Sequence, residues 1–186
     1  DYYLRRTPAF WPVRRAFAPV IVVVTRQENK VRIYGVNEGP ACSGELRFGV
    51  MALAGAYPID KTASVELPAN ASTMIAEFDA KGWDRLGVEK HVAFAVLSSD
   101  CREVARDALF LPLFREMHWP KAKVEMRRAA GKAVFTSKTF AWRVCIDLDG
   151  EKTLPDNFFD VYPGIPTVLE WPDKLGAPKM LRIGNG

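Results

Sequence analysis

The segment Pro19-Val-Ile-Val-Val-Val-Thr-Arg26 is a short run of β-branched residues, and a second run, Lys30-Val-Arg-Ile-Tyr-Gly-Val-Asn37, follows it closely. The turn residues Glu28-Asn29-Lys30 join the two runs. Val, Ile, Thr and Tyr favour pleated strands, and two such runs separated by a polar turn are typical of a β-hairpin. The segment therefore predicts a fold built from antiparallel strands.

The same alternation of short apolar runs and turn residues continues along the chain, and helical periodicity is nearly absent. Residues 102–114 fit either a helix or a strand, and we favour a strand because Leu109, Leu111 and Leu113 alternate with their neighbours. Seven strands before residue 113 are typical of an immunoglobulin-like sandwich. After the hairpin, the predicted strands of this part are 44–53, 63–67, 73–79, 92–99 and 105–112.

The pattern restarts after His118-Trp119-Pro120. Ala129-Ala130-Gly131 predicts a hairpin loop, and Asp149-Gly150 predicts a turn. We therefore predict an all-β fold of two consecutive immunoglobulin-like antiparallel β-sandwich domains, residues 18–113 and a smaller domain, residues 114–186. The smaller one is expected to pack on its neighbour. Its predicted strands are 122–128, 132–137, 140–148, 157–161, 167–171 and 179–183.

Residues 1–17 are interpreted as the remnant of a preceding domain and a linker. Pro8, Pro12 and Pro19 prevent one continuous helix. Five aromatic side chains are too apolar for a free tail, so we expect a helix end at residues 1–7 followed by a linker that lies against the protein surface. These aromatic residues are Tyr2, Tyr3, Phe10, Trp11 and Phe17.

The net charge of +4 is concentrated at one end of the chain, because residues 1–17 contain four arginines and one aspartate. Nucleic acid requires a contiguous basic surface, so no nucleic-acid partner is expected. The longest apolar run, residues 18–24, is far shorter than the ~20 residues that span a bilayer, so no membrane partner is expected. No secretory signal precedes Asp1. The compartment stays open between periplasmic, secreted and cytoplasmic.

Candidate catalytic and metal-binding residues are few. His91 and His118 are the two histidines that a nucleophile system would need as a base, and both are expected to be ordinary histidines. The acidic run 147–151 resembles a calcium loop but lacks further ligands, so a solvated turn is expected. We predict no catalytic residue, metal ligand or cofactor. The three cysteines have no C-x-x-C spacing, and either a Cys42–Cys101 pair or buried thiols fit this pattern.

Two tryptophans are candidates for carbohydrate stacking. Trp119 and Trp171 flank turns with prolines, and an exposed aromatic ring suits the apolar face of a sugar. Packing between domains is the alternative for both. Trp142 lies within a predicted strand and is expected to belong to the core.

Two parts of the sequence have the pattern of a known family. The first is Arg14-Arg-Ala-Phe-Ala-Pro-Val-Ile-Val-Val-Val24, followed by residues 31–37. It resembles the junction between the catalytic barrel and the C-terminal immunoglobulin-like domains of glycoside hydrolase family 2 enzymes, especially the β-mannosidase branch. Phe135-Thr-Ser-Lys-Thr-Phe-Ala-Trp142 and Leu154-Pro-Asp-Asn-Phe-Phe-Asp-Val-Tyr-Pro-Gly164 are similar to the last sandwich. The segment Thr7-Pro-Ala-Phe-Trp-Pro12 is longer than usual, which leaves the subfamily open.

The resemblance implies a non-catalytic region. In that family the catalytic glutamates lie in the barrel, which precedes the part that this chain resembles, so none of them maps onto this sequence. The chain alone is expected to be inactive, its parent to be a glycosidase, and its role to be bracing the catalytic barrel, with carbohydrate binding as an added role. The alternatives are a free-standing carbohydrate-binding module and a fibronectin-like adhesion module.

Overall fold

The computed structural model describes residues 5–99 and 102–186. The α-helices of this part are α1 (Phe10–Ala16) and α2 (Lys81–Leu86), and two short 3₁₀ helices span Phe114–Glu116 and Asp173–Leu175. Its strands are β1 (Val20–Gln27), β2 (Lys30–Asn37), β3 (Cys42–Ala52), β4 (Ile59–Leu67), β5 (Ala71–Asp79), β6 (His91–Ser99), β7 (Arg102–Leu109), β8 (Val124–Ala129), β9 (Lys132–Ser137), β10 (Ala141–Val144), β11 (Phe159–Val161) and β12 (Thr167–Glu170). None of the helices in the described ranges is long and apolar enough to cross a membrane.

The chain divides into two compact units. The first unit contains Ala18–Ala52 and Ala56–His118. The second unit contains Trp119–Gly186, Leu53–Gly55 and the N-terminal segment through Phe17. The division between His118 and Trp119 lies a few residues after the predicted boundary at residue 113.

The first unit is a sandwich of two antiparallel sheets, with strand orders β1-β2-β5 and β4-β3-β6-β7. Alternate residues of the opening hairpin, such as Val24 and Ile33, are paired across β1 and β2 and buried. They pack with residues such as Leu46 and Leu97 from the larger sheet in one hydrophobic core. The Val24 N–H donates to the Asp107 carboxylate at 2.8 Å and so ties β1 to β7. The all-β prediction is confirmed; within the ambiguous segment 102–114, Arg102–Leu109 form strand β7, and a 3₁₀ helix begins at Phe114.

The second unit is smaller and less regular. Its strands form a three-stranded sheet, β12-β9-β8, and a two-stranded sheet, β10-β11. Ala130 and Gly131 both have positive φ, 48° and 73°, which is the type I′ geometry that the predicted β8–β9 hairpin loop requires. Phe135 and Phe159 meet edge to face in its core, with ring centroids 5.0 Å apart.

The N-terminal segment differs from the predicted surface linker. Residues 10–16 form α1, and the Trp11 side chain is 1% exposed within the core of the second unit. Pro12 does not prevent the helix, because it occupies the first turn, where a main-chain N–H has no acceptor within the helix. Burying the Trp11 ring stabilises the unit by about 2–3 kcal/mol. Residues 1–4 of the predicted helix end lie outside the described residues.

Three further differences concern short elements. Helix α2 was not predicted because six residues that include Gly82 carry little periodic signal; it is held by Trp83, whose indole N–H donates to the His91 carbonyl at 2.9 Å. The predicted strand 179–183 is reduced to one bridge between Arg182 and Cys145. Strand β10 ends at Val144, before the predicted end at residue 148, and the positive φ of 53° at Arg143 lies where its register with β11 shifts. Cys42 is a free, exposed thiol and Cys145 is a free, buried one, whereas Cys101 lies outside the described residues.

Candidate functional site

Trp119 belongs to a group of aromatic rings in the second unit, which we call the Trp119 cluster: Trp119, Phe140, Trp142 and Tyr162. The Trp119 ring centroid lies 6.2 Å from that of Phe140 and 6.0 Å from that of Trp142. Phe140 in turn stacks on Tyr162 at 5.4 Å. Phe140 and Tyr162 are buried, whereas Trp119 and Trp142 are half-buried. The cluster therefore runs from the core of the unit to its surface, with Trp119 in part accessible.

The Asn185 side chain fixes the main chain around this cluster. Its Oδ1 accepts the Trp142 N–H at 2.8 Å. Its Nδ2 donates to the carbonyls of Pro120 at 3.1 Å and Phe140 at 2.9 Å. Because Pro120 follows Trp119 directly, one amide holds the main chain on both sides of the Trp119–Trp142 contact. Sequence reasoning missed Asn185, since a single Asn between two glycines carries no periodic or motif signal.

Trp142 is covered by its neighbours. Gly184 lies so close that a Cβ added there would come within 2.2 Å of the Trp142 ring. The Arg143 guanidinium lies 5.6 Å from the same ring centroid. The half-buried position corrects the expectation that Trp142 is a core residue. Trp119 and Trp142 are both half-buried, and their ring planes are tilted by 41° to each other, so the structure brings the candidate Trp119 into contact with a second partly accessible ring.

Trp171 is a core residue. Its side chain is 2% exposed, and its indole N–H donates to the Gly176 carbonyl at 2.9 Å. A sugar-stacking ring needs an open face, so the folded chain cannot use Trp171 in that way. The prediction that Trp171 stacks on a sugar is therefore wrong, and Trp171 is a structural residue. It is buried because β12 packs against the core that also contains Trp11.

The segment Asp156-Asn157-Phe158-Phe159-Asp160, which carries the strongest part of the family resemblance, is a structural hub of the second unit. Asn157 is fully buried; its Oδ1 accepts the Ile146 N–H at 2.8 Å and its Nδ2 donates to the Asp147 carbonyl at 2.6 Å. Asp160 accepts the Arg143 N–H at 2.8 Å. The amide and carboxylate of this motif therefore hold loops of the second unit together.

Asp156, the first residue of this segment, binds helix α1. The Asp156 carboxylate lies 2.6 Å from the Arg15 guanidinium, which also donates to the carbonyls of Asn157 and Phe158 at 3.1 Å each. Burial raises the pKa of the Asp156 carboxyl, and the positive charge of Arg15 opposes that shift. The three contacts fix the helix on the loop before β11.

The remaining sequence candidates form no catalytic or metal-binding constellation in the described ranges. The Nδ1 atom of His91 lies 3.0 Å from the Gly87 carbonyl, and His118 is exposed. Asp147 is buried and accepts the Lys152 N–H at 2.7 Å. No group of three or more His, Cys, Asp or Glu side chains among the described residues is arranged to hold a metal ion.

The Tyr57 phenol on the first unit lies beside a pair of oppositely charged side chains. Arg47 makes two 2.9 Å hydrogen bonds to the Asp60 carboxylate, and its guanidinium lies 4.3 Å from the Tyr57 ring centroid. Burial is the main cause that raises the pKa of Tyr57 to about 12, and Arg47 opposes it. This arrangement rigidifies the outer face of β3 and β4, and it leaves Tyr57 protonated at neutral pH.

Protein-family models and curated proteins give no match to this chain. Among solved structures, the β-D-mannosidase of Dictyoglomus thermophilum is similar, with a TM-score of 0.84 and 22% sequence identity over 100% of this chain and 24% of that one. The exo-chitosanase CsxA of Amycolatopsis orientalis is similar with a TM-score of 0.56 and 17% identity, over 92% of this chain and 26% of that one. The chain therefore spans about a quarter of the length of each. At these identities the likeness concerns the fold, and at that level it confirms the predicted resemblance to the C-terminal β-sandwich region of glycoside hydrolase family 2 enzymes.

Proposed function

We propose that this chain is the non-catalytic C-terminal β-sandwich region of a β-mannosidase-like glycoside hydrolase, and that it braces the catalytic barrel of that enzyme. The observation that supports this proposal is the match of the whole chain, at a TM-score of 0.84, to one quarter of a β-D-mannosidase. A match over every element of a small two-unit chain indicates the same arrangement of strands within each unit. The sugar and linkage that the parent enzyme cleaves are not part of the proposal.

The residues that carry the family resemblance support a bracing role. Asn157, Asp156 and Asp160 are engaged in hydrogen bonds that hold loops and helix α1. A catalytic pair of carboxylates in a glycosidase has to face a substrate across an open cleft. The acidic side chains of this motif instead accept hydrogen bonds from their own unit, which is what a structural region requires.

The coding sequence upstream of Asp1 tests this proposal. A continuous reading frame that encodes a barrel-length domain with glycosidase carboxylates supports it. A start codon directly before Asp1, or a secretory signal followed at once by this chain, contradicts it and favours a free-standing module.

Carbohydrate binding is the second candidate function, and the half-buried Trp119 ring favours it. Trp142 contacts this ring, and Asn185 fixes the main chain on both sides of the contact, so the ring is held in place before any ligand arrives. Preorganised aromatic faces bind with a smaller entropic cost than mobile ones. This role fits both an accessory region of a glycosidase and a free-standing carbohydrate-binding module.

A titration with manno- and gluco-oligosaccharides tests this second function. Binding should quench tryptophan fluorescence in the wild type and be lost in Trp119→Ala. Phe114→Ala, which removes a different exposed ring, should bind like the wild type. A chain that shows no response to any of these sugars contradicts carbohydrate binding and leaves an adhesion module as the alternative.

A further inference from the structure

Helix α1 is held rigidly on the second unit. Trp11 is buried on its inner side, and Arg15 is clamped to Asp156 and to two carbonyls of the loop before β11. Arg14 donates to the Pro155 carbonyl at 2.8 Å. A seven-residue helix is not stable by itself in water. These contacts therefore decide its position, and they fix the direction in which its other side chains point.

The outward side of α1 is apolar. Phe10 is 39% exposed and Val13 54%, and Phe17, the residue that ends the helix, is 80% exposed. Spacings of three and four residues place these side chains in one stripe. A helix that faces only water normally carries polar residues on that side. The sequence Phe10-Trp-Pro-Val-Arg-Arg-Ala16 has two polar side chains, both arginines that bind their own unit.

We propose that the stripe of Phe10, Val13 and Phe17 is the docking surface for another domain of the same polypeptide, and that the contacting surface of that domain is apolar. This inference rests on the proposed function. The solved β-D-mannosidase contains this entire fold, including the region of α1, in 24% of its chain, so most of such a protein lies outside the matched part.

The size of the stripe favours a tethered domain over a second copy of the chain. Three side chains bury roughly a few hundred Å², well below the ~800 Å² per partner of a stable stand-alone interface. A covalent tether supplies an effective concentration in the millimolar range, at which a small apolar contact suffices. The arginines beside the stripe are engaged within their own unit, so an acidic partner surface is not required.

The experiment compares Val13→Glu with Val168→Glu. Val168 is a matched control, since it is a valine of the same unit with 50% exposure that lies on strand β12 and not on α1. In the chain of residues 1–186 both variants should keep the wild-type unfolding midpoint within about 2 °C, because both side chains are exposed. The same variants are then made in the complete product of the gene.

In the complete gene product, Val13→Glu should raise the rate of proteolytic cleavage before α1 about tenfold and separate one thermal transition into two, because a charge is placed in an apolar contact. Val168→Glu should behave like the wild type. If the gene product is a longer, active glycosidase but the two variants behave alike in it, the proposed docking surface is wrong and the proposed function stands. A gene product without a further domain overturns both. If the chain forms a dimer and Val13→Glu dissociates it, the stripe binds a second copy of the chain, and the inference is wrong.

Discussion

The Trp142 N–H and the Asn185 Oδ1 atom are joined by a 2.8 Å hydrogen bond that connects the last turn of the chain to strand β10. The same Asn185 amide holds the carbonyls of Pro120 and Phe140. The Asn185 side chain therefore helps to hold the C-terminal segment on the second unit, together with main-chain contacts such as the Arg182–Cys145 bridge.

Asn185→Ala should lower the free energy of unfolding by about 2 kcal/mol, because it leaves one main-chain donor and two acceptors without their partner. Urea denaturation measures the difference. Asn29→Ala, at the exposed β1–β2 turn, is the control and should stay within about 0.5 kcal/mol of the wild type. Equal stability of the two variants would show that Asn185 does not help to hold the C-terminal segment.

Gly184→Ala should destabilise the second unit by about 1–3 kcal/mol, since the added Cβ would come within 2.2 Å of the Trp142 ring. The emission maximum of tryptophan should shift to the red as the C-terminal segment moves away. Gly39→Ala is the control, because a Cβ at that position meets its nearest atom at 3.4 Å. An unchanged spectrum and midpoint for Gly184→Ala contradicts the close contact.

Asn157→Asp should destabilise the chain by about 3 kcal/mol. The substitution removes the amide donor to the Asp147 carbonyl and places a negative charge at a fully buried position. Asn29→Asp makes the same change at an exposed turn and should be nearly neutral. Chemical denaturation of both variants checks this, and a wild-type midpoint for Asn157→Asp rules out the hub role of the motif.

Alkaline pH should destabilise the first unit through Tyr57. The pKa of this phenol is raised to about 12 in the folded chain, so the unfolded state loses its proton first as the pH rises above 10. The stabilisation is present below pH 10 and is lost towards pH 12. Arg47, Asp60 and Arg106 are the charged groups that act on this phenol, and screening limits the loss to about 1 kcal/mol.

Unfolding of the wild type and of Tyr57→Phe, compared between pH 9 and pH 11.5, measures this contribution. The free energy of unfolding of the wild type should fall towards that of the variant as the pH rises. A constant difference across that range contradicts a raised pKa.

The fold followed from the sequence where local pattern and tertiary packing agree. Strand β2 was predicted at its observed bounds because Val31 and Ile33 alternate with half-exposed residues and both neighbouring turns are polar. Helix α1 was not predicted, because its stability comes from burial of Trp11 and from the Arg15–Asp156 contact across 141 positions of sequence. Interactions of that range leave no local pattern.

The candidate site was predicted only in part, because long-range contacts also decide which of its residues are exposed. An aromatic residue beside a proline turn indicated Trp119, and the structure leaves that ring half-buried. Trp171 has a similar local context but lies in the core, because the packing of its sheet decides its burial. Asn185 acts on residues 43 and 65 positions away in sequence, which single-sequence patterns do not reveal.

The hydrolysis of 4-nitrophenyl β-mannoside, measured side by side for the complete gene product and for the pure chain of residues 1–186, tests the proposed function most directly. We predict that the complete product cleaves the substrate and that the pure chain does not. Cleavage by the pure chain, abolished by one carboxylate substitution within it, would show that this region is itself the catalyst.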